Sequence, residues 1–432
     1  MMEKERVLLA GVSLTGDRRK GDEDFNSSME ELKELAFACD MEVVGEITQN
    51  LEKIHIDLYF GKGKTEELKE SLEELQADLV IFNEELSPSQ TRNLERFLEC
   101  RVLDRSVLIM DIFARRAKTK EAQMQVEMAR LKYMLPRLSG LTGSLSRQGG
   151  GSGLHNKGAG ETKLELDRRR IEERIARLER DLNELVGRRQ NQRQKREKNE
   201  IPLAALVGYT NAGKSTVMNS VLGLHKIAGD KLVLEKDMLF ATLETSVRKI
   251  TTKENRTFLL TDTVGFINRL PHHLIKAFRS TLEEVLMADL LIQVIDVSDK
   301  DYRKQMAVTE GTLEELGASD IPVLYAFNKT DKLTAEELES IKAENGELGC
   351  IYLSAKKEED IQRLVDCITE DLFEGEVTLE LSLPYKDSKW VAFLQENGTV
   401  TALDYGEEAI KLTAVCSSSL YEKYFKNSSF CL

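Results

Sequence analysis

The sequence predicts a multidomain α/β protein. Three observations predict it. The first hundred residues alternate short apolar runs with helix-length amphipathic stretches, two long segments then carry helical apolar seams, and a second strand-and-helix alternation begins near residue 201. A chain of 432 residues, at roughly 100 to 200 residues per domain, should divide into about two to four domains. Hydrophobic residues make up 41% and charged residues 31%, with only 6 prolines, which excludes collagen-like, wholly disordered and membrane-embedded classes. The longest apolar stretches, such as Ala288 to Val297, fall well short of the roughly 18 residues that span a bilayer. No membrane span is expected. The start has no apolar h-region, and the six cysteines form no C-x-x-C pair, so neither secretion, a disulfide framework nor a zinc site is expected. A reducing, cytoplasmic setting fits.

In the N-terminal part, Arg6 to Val12, Met41 to Ile47, Ile56 to Phe60, Asp78 to Phe82 and Arg101 to Leu103 read as strands with helices between them. Ser87-Pro88 reads as an N-cap followed by proline at the first helical position. Gly61-Lys62-Gly63-Lys64, between a strand and a helix, reads as a turn, with an anion contact as the alternative.

From about Met124 the period changes. Met124, Met128, Leu131 and Leu135 form one seam, and Ile171, Ile175, Leu178, Leu182 and Leu185 form a second, so an antiparallel helical hairpin is expected. Its tip, Pro136 to Gly160, is rich in glycine and carries Arg137, Arg147 and Lys157. Residues 114–200 hold 22 lysines and arginines against 12 acids, inside a chain whose net charge is -14. Such a concentration is the footprint of a phosphate-backbone partner or, equally, of a solvated, ion-paired helix.

The segment with the clearest chemistry follows. Leu203 to Val207 is a buried-type strand that runs into Gly208-Tyr209-Thr210-Asn211-Ala212-Gly213-Lys214-Ser215-Thr216, a G-x-x-x-x-G-K-S loop in strand-to-helix context. Its glycines let backbone N–H groups converge on phosphate oxygens, Lys214 supplies a point charge to the β- and γ-phosphates, and the Ser215 hydroxyl suits Mg²⁺. After the strand Arg256 to Thr261 stands Asp262-Thr263-Val264-Gly265, where the acid can hold Mg²⁺ through water and the Gly265 N–H can sense the γ-phosphate. Two further strands, Leu290 to Val297 and Ile321 to Phe327, precede Asn328-Lys329-Thr330-Asp331. A carboxylate at Asp331 accepts both guanine N1–H and the exocyclic amine, a pair that adenine lacks. Ser354-Ala355-Lys356, after the strand Cys350 to Leu353, offers a backbone N–H to the base oxygen.

These ordered motifs resemble a P-loop GTPase of the translation-factor-related class over residues 201 to 372. The resemblance puts Phe240-Ala241-Thr242-Leu243-Glu244 at switch I, with Thr242 as the threonine that binds Mg²⁺ and closes over the γ-phosphate, and Thr245 as the fallback. Lys214, Thr242 and Gly265 are then the catalytic candidates, and Ser215 and Thr242 the Mg²⁺ ligands. Asn211 resembles the asparagine with which some GTPases bind an activating K⁺ ion. One departure matters: many regulatory GTPases place glutamine after this glycine to orient the attacking water, and this chain has Phe266. Either a partner completes the site, or Phe266 packs against the sheet and a nearby polar group positions the water.

The flanking regions narrow the resemblance. Tyr59 to Lys64, Leu103-Asp104-Arg105, Asp111 to Ala117, Gln125 to Ala129 and Gly158 to Arg169 look like the N-terminal part of the HflX family, with Ala159 and the Leu166-Asp167 step as local departures. That resemblance implies a GTPase that binds the large ribosomal subunit and, in some members, splits stalled or idle ribosomes under heat or antibiotic stress. It would send the Arg137, Arg147 and Lys157 loop into the peptidyl transferase region of ribosomal RNA. The expected division is 1–113 (N-terminal α/β), 114–200 (basic hairpin), 201–373 (GTPase) and 374–432 (small α/β), in a monomer. In the last part, Thr378 to Leu383 and Trp390 to Leu394 read as strands, a helix starts at Ser418, and Trp390 belongs to a core. Two rivals share parts of this pattern: a GTPase of ribosome assembly or tRNA modification, and an RNA-binding protein that needs no nucleotide.

Overall fold

The computed structural model describes residues 4–14, 18–139, 157–198, 201–225, 239–240, 246–253, 256–268, 285–346, 349–406, 409–416, 420–426, 428 and 430. Its elements form three sheets. The first runs in the order β2 (Glu42–Leu51), β1 (Arg6–Leu14), β3 (Leu79–Phe82), β4 (Arg101–Asp104), with every pair parallel. Because side chains alternate across a strand, each face of this sheet needs its own cover. Val7, Leu9, Leu79 and Ile81 pack with α1 (Arg18–Ala38) and α4 (Arg105–Arg116), while Leu8, Ala10, Val80 and Phe82 pack with α2 (Lys62–Glu74) and α3 (Pro88–Leu98). Ser87 caps α3 as expected: its Oγ accepts from Gln90 N, and the Gln90 side chain returns the bond to Ser87 N. Gly61 stands at the N-cap of α2.

The hairpin helices are α5 (Lys120–Ser139) and α6 (Lys157–Lys198). Val126, Ala129 and Tyr133 of α5 meet Leu178 and Leu182 of α6 in the same apolar cluster that underlies α1 and α4. Ion pairs from Arg174 to Glu127 (2.7 Å) and from Lys132 to Glu179 (2.8 Å) flank the contact. The loop between these helices, Arg147 included, lies outside the described residues.

The second sheet has the order β10 (Cys350–Tyr352), β9 (Val323–Asn328), β8 (Leu290–Asp296), β5 (Leu203–Val207), β7 (Thr257–Asp262), β6 (Ser246–Thr251). All pairs are parallel except β6 with β7. Ala204 and Leu206 pack with α7 (Lys214–Leu224) and α10 (Glu358–Leu372), and Leu203, Ala205 and Val207 with the opposite layer that contains α8 (Tyr302–Leu316). Between β9 and β10 lies α9 (Ala335–Glu344).

The third sheet is antiparallel, β11 (Val377–Pro384), β13 (Ala409–Cys416), β12 (Thr399–Tyr405), and is covered by α11 (Lys389–Asn397). Two expectations are corrected here. Trp390 to Leu394 is helical: Val391 and Leu394, three residues apart, are the buried positions, as one face of a helix requires. Near the N-terminus, Ile56 to Phe60 is a turn closed by an isolated His55–Tyr59 bridge, with Tyr59 at positive φ and Ile56 77% exposed. The expected C-terminal helix is present as a π-helical turn, Tyr421–Phe425, and its expected start at Ser418 lies outside the described residues. Trp390 does join a core, edge-on to Phe393 and Phe425. Among the described residues no helix is long and apolar enough to cross a membrane, and no group of three His, Cys, Asp or Glu could hold a metal.

Candidate nucleotide site

The site is built where the carboxyl ends of β5, β7 and β9 meet the start of α7. Gly208, Asn211 and Gly213 all have positive φ, so the loop folds back on itself before the helix. At Gly213 (φ 100) a Cβ would lie 2.4 Å from Asn328 Nδ2, so only glycine fits. The first turn of α7 therefore follows directly on the folded-back loop and presents the positive end of the helix dipole there, an anion-binding arrangement.

Lys214 is buried, and its ammonium donates to Gly208 O (3.0 Å) and Tyr209 O (2.7 Å) of its own loop. Burial pushes its pKa down to about 8, against the opposing pull of the Asp262 carboxylate. The Ser215 hydroxyl donates to Asp262 Oδ2 at 2.8 Å, which joins the two groups expected around Mg²⁺. A hydroxyl beside a carboxylate at the mouth of a phosphate loop is a hard-oxygen donor set that suits that ion. Thr263 Oγ1 donates to Leu206 O, fixing the strand end that carries Asp262.

The base side is equally ordered. Asn328 bridges two loops: its Nδ2 donates to Ala212 O, and its Oδ1 accepts from Ala355 N, both at 3.0 Å. Lys329, at positive φ, donates to Asn211 O (2.8 Å) and pairs with Asp296 (2.6 Å). Thr330 opens the short 3₁₀ turn that carries Asp331. Asp331 accepts from Ser354 Oγ (2.7 Å) and from Lys356 Nζ (3.2 Å), and the Ser354 hydroxyl, ahead of Lys356, holds its carboxyl below the usual carboxylate range. In the segment expected to offer one backbone N–H to the base oxygen, Ser354 N is committed to Asp360 and Ala355 N to Asn328, while Lys356 N makes a long 3.4 Å contact with Ser354 Oγ.

The described site thus brings together Gly208 to Thr216, Asp262 to Gly265, Asn328 to Asp331 and Ser354 to Lys356. Ala241, Thr242, Leu243 and Glu244 lie outside the described residues. Phe240 is buried against Phe113 of α4, ring centroids 4.7 Å apart, in the N-terminal apolar cluster. Phe266 is 2% exposed and packs with Leu203, Ala205, Val207 and Leu291, so it lies in the core of the sheet. One expectation is corrected: Arg137 is not a free cation for RNA. Its guanidinium donates to Leu86 O (2.6 Å) and Tyr133 O (3.0 Å), stacks on the Tyr133 ring and lies 3.5 Å from buried Asp104, which accepts from the Tyr133 hydroxyl at 2.5 Å.

Sequence reading missed the groups that hold this site from outside. The Tyr209 hydroxyl donates to Glu31 of α1 and accepts from Asn268 N (2.8 Å). Glu31 is ion-paired with Arg105, whose guanidinium also reaches Asn268 O (3.3 Å) and Asn83 Oδ1 (3.1 Å). Val264 and Ile267, beside Gly265, are buried in the N-terminal cluster. A charged residue in an amphipathic helix and an arginine after a short strand carry no local sign of such a contact.

A helix-capped phosphate loop, an acid at the next parallel strand end and an asparagine–aspartate base pocket on this sheet define a P-loop GTPase. Residues 203–329 match the family described as 50S ribosome-binding GTPase, residues 26–114 the family described as GTP-binding GTPase N-terminal, and residues 116–196 its middle region. The chain is 44% identical to the GTPase HflX of Caldanaerobacter subterraneus subsp. tengcongensis over 98% of its own length and 93% of that protein's. It is 38% identical to the GTPase HflX of Escherichia coli K12 over 89% of this chain and 87% of that one. A GTP-binding protein of Sulfolobus solfataricus in complex with GDP is 25% identical, with a TM-score of 0.44, over 85% of this chain and 98% of that one. The chain belongs to the HflX family of GTPases.

Proposed function

We propose that this GTPase is a nucleotide-gated factor that binds the large ribosomal subunit through its hairpin loop and separates stalled or idle ribosomes under stress. The observation that carries the gate is the seam between the nucleotide loops and the N-terminal sheet. Tyr209 and Asn268, one in the phosphate loop and one three residues past Gly265, are both held by the Glu31–Arg105 pair. A γ-phosphate that draws Gly265 inward pulls on Asn268, and so on the core that continues into α5 and α6.

In that reading α7 and Lys214 receive the β- and γ-phosphates, with Lys214 turning from its own loop's carbonyls to the ligand. Asp331 accepts from the guanine N1–H and amine. Ser215, Asp262 and Thr242 are the residues that would hold Mg²⁺, which when bound would neutralise charge on the phosphate oxygens. Asn211 is the residue to test for K⁺ dependence. Arg147 and Lys157 are the cations proposed for ribosomal RNA, now without Arg137.

Co-sedimentation with purified large subunits tests the gate and the loop together. A non-hydrolysable GTP analogue should strengthen binding at least about tenfold over GDP, and replacing Arg147 and Lys157 with glutamine should weaken it and flatten its salt dependence. Equal binding with both nucleotides sinks the gate. Co-purification with free tRNA or precursor particles in place of mature subunits would favour the assembly or modification reading.

A further inference from the structure

We propose that the Thr210 hydroxyl holds the hydrolytic water against the γ-phosphate, the task that Phe266 cannot perform. The inference rests on the GTPase reading of this site and adds a catalytic residue to it.

Hydrolysis in line with the leaving group needs a water held by a hydrogen-bonding group beside the γ-phosphate. Phe266 offers no such group, and the structure seals it in the core on the sheet face opposite α7. Four other hydroxyls around the loop are committed: Ser215 to Asp262, Thr263 to Leu206 O, Ser354 to Asp331, and Tyr209 to Glu31. Thr210 differs. It is 5% exposed, and its Oγ1 is buried with no hydrogen-bond partner among the described residues. A buried hydroxyl left unpaired is destabilising, so its retention in a well-packed loop calls for a partner that arrives with the ligand.

Its position says which partner. Thr210 N donates to Phe266 O at 2.8 Å, which ties this residue to the segment just after Gly265. A Cβ built on Gly265 would fall 2.9 Å from both Thr210 Cα and Cγ2, and 3.0 Å from Lys214 Nζ. Through its Cα and methyl group, Thr210 thus packs against Gly265 and the Lys214 ammonium, the two groups that would address the γ-phosphate. The hydroxyl on that same side chain can accept a hydrogen bond from the water and donate one to a γ-phosphoryl oxygen. The water oxygen forms a bond to the γ-phosphorus as the bond to the β–γ bridging oxygen breaks. The electron pair leaves on GDP, and the water's proton ends on the released phosphate. Thr210 is unchanged.

The test is single-turnover GTP hydrolysis by the full chain in magnesium buffer, with affinities for GDP alone and for GDP with aluminium fluoride. Thr210→Val keeps the shape and removes the hydroxyl. It should hydrolyse GTP at least about tenfold more slowly and lose the extra affinity for the fluoride complex, while GDP affinity stays within about twofold. Thr210→Ser should restore the rate. A valine variant that turns over at the wild-type rate overturns the assignment, and so does one that loses GDP affinity and rate in parallel, which marks a loop-shaping role. Should the unsubstituted chain bind GDP yet hydrolyse no GTP, the GTPase reading falls with it. Wild-type turnover untouched by the valine sinks Thr210 alone.

Discussion

Two α/β sheets in this chain, one all-parallel and one parallel except at its β6 edge, end in crevices of the same topological kind, and the crevices are filled by different chemistry. In open α/β sheets, ligands sit outside the carboxyl ends of the strands where strand order reverses. In the GTPase sheet that place is lined by backbone: the positive-φ loop from Gly208, the start of α7, and the ends of β7 and β9 with Asp262 and Asn328. In the N-terminal sheet the corresponding strand ends supply side chains, Asn83 after β3 and Arg105 after β4, joined by Glu31 of α1. What that crevice receives is part of the same chain, Tyr209 and Asn268. The comparison teaches that a glycine-lined end stays open to an exchangeable phosphate ligand, whereas an end lined by a buried ion pair is committed to a permanent occupant.

The largest effect should come from breaking that second crevice. Arg105 and Glu31 side chains are only 3% and 11% exposed, so Arg105→Ala strands a carboxylate in a low-dielectric setting. Removing one member of such a pair costs about 3 to 5 kcal/mol. The first denaturant transition followed by tyrosine fluorescence should move down accordingly, and the nucleotide loop should become more protease-sensitive in step. A loss below about 1 kcal/mol would mean that water already reaches the pair and that the crevice is not committed as described.

A smaller effect, confined to the first crevice, is expected from Lys214→Ala. The variant loses charge-assisted hydrogen bonds to phosphate and should bind GTP about a hundredfold more weakly while keeping its unfolding midpoint near that of the wild type. Calorimetric titration beside a melting curve separates the two. Unchanged affinity would mean that the helix end alone carries the phosphate, and the contrast between backbone and side-chain crevices would need redrawing.

The difference between the crevices also explains what could be read from the sequence. The GTPase site was legible because each of its demands is local: glycine where φ is positive at Gly213, a lysine and hydroxyl at fixed offsets in Lys214-Ser215, an acid at a strand end in Asp262, and a carboxylate just after a strand-end asparagine in Asp331. The N-terminal crevice was not legible, because Glu31, Arg105 and Tyr209 are 74 to 178 positions apart in their pairings and only tertiary packing selects them. Arg137 shows the same limit from the other side. Its setting in a basic, glycine-flanked segment suggested a solvent-facing cation, yet Tyr133 and Asp104 draw it inward. Short apolar runs failed for a different reason. Trp390 to Leu394 has too few residues to separate a period of two from one of 3.6, and packing of Val391 and Leu394 on β11 and β13 decided for the helix.

The smallest effect tests the electrostatics of the open crevice without any substitution. Before ligand binds, burial has lowered the Lys214 pKa to about 8. Phosphate oxygens beside the ammonium favour its charged form, so the pKa in the complex must lie higher than in the free site. The sign follows. Below about pH 8 both states carry the proton and affinity is flat, whereas above it binding must take up a proton and affinity falls, up to tenfold per pH unit. Between pH 7 and 8.5 the GDP dissociation constant should rise about fourfold, with calorimetry in buffers of different ionisation enthalpy reporting proton uptake at the upper pH. Lys214→Arg, whose guanidinium stays protonated throughout, should abolish the slope even if it binds less well overall. An unsubstituted chain with a flat profile across this range would show that Lys214 is already solvated before nucleotide arrives, and that the GTPase crevice is more open at its phosphate end than the packing around Gly208 and Tyr209 implies.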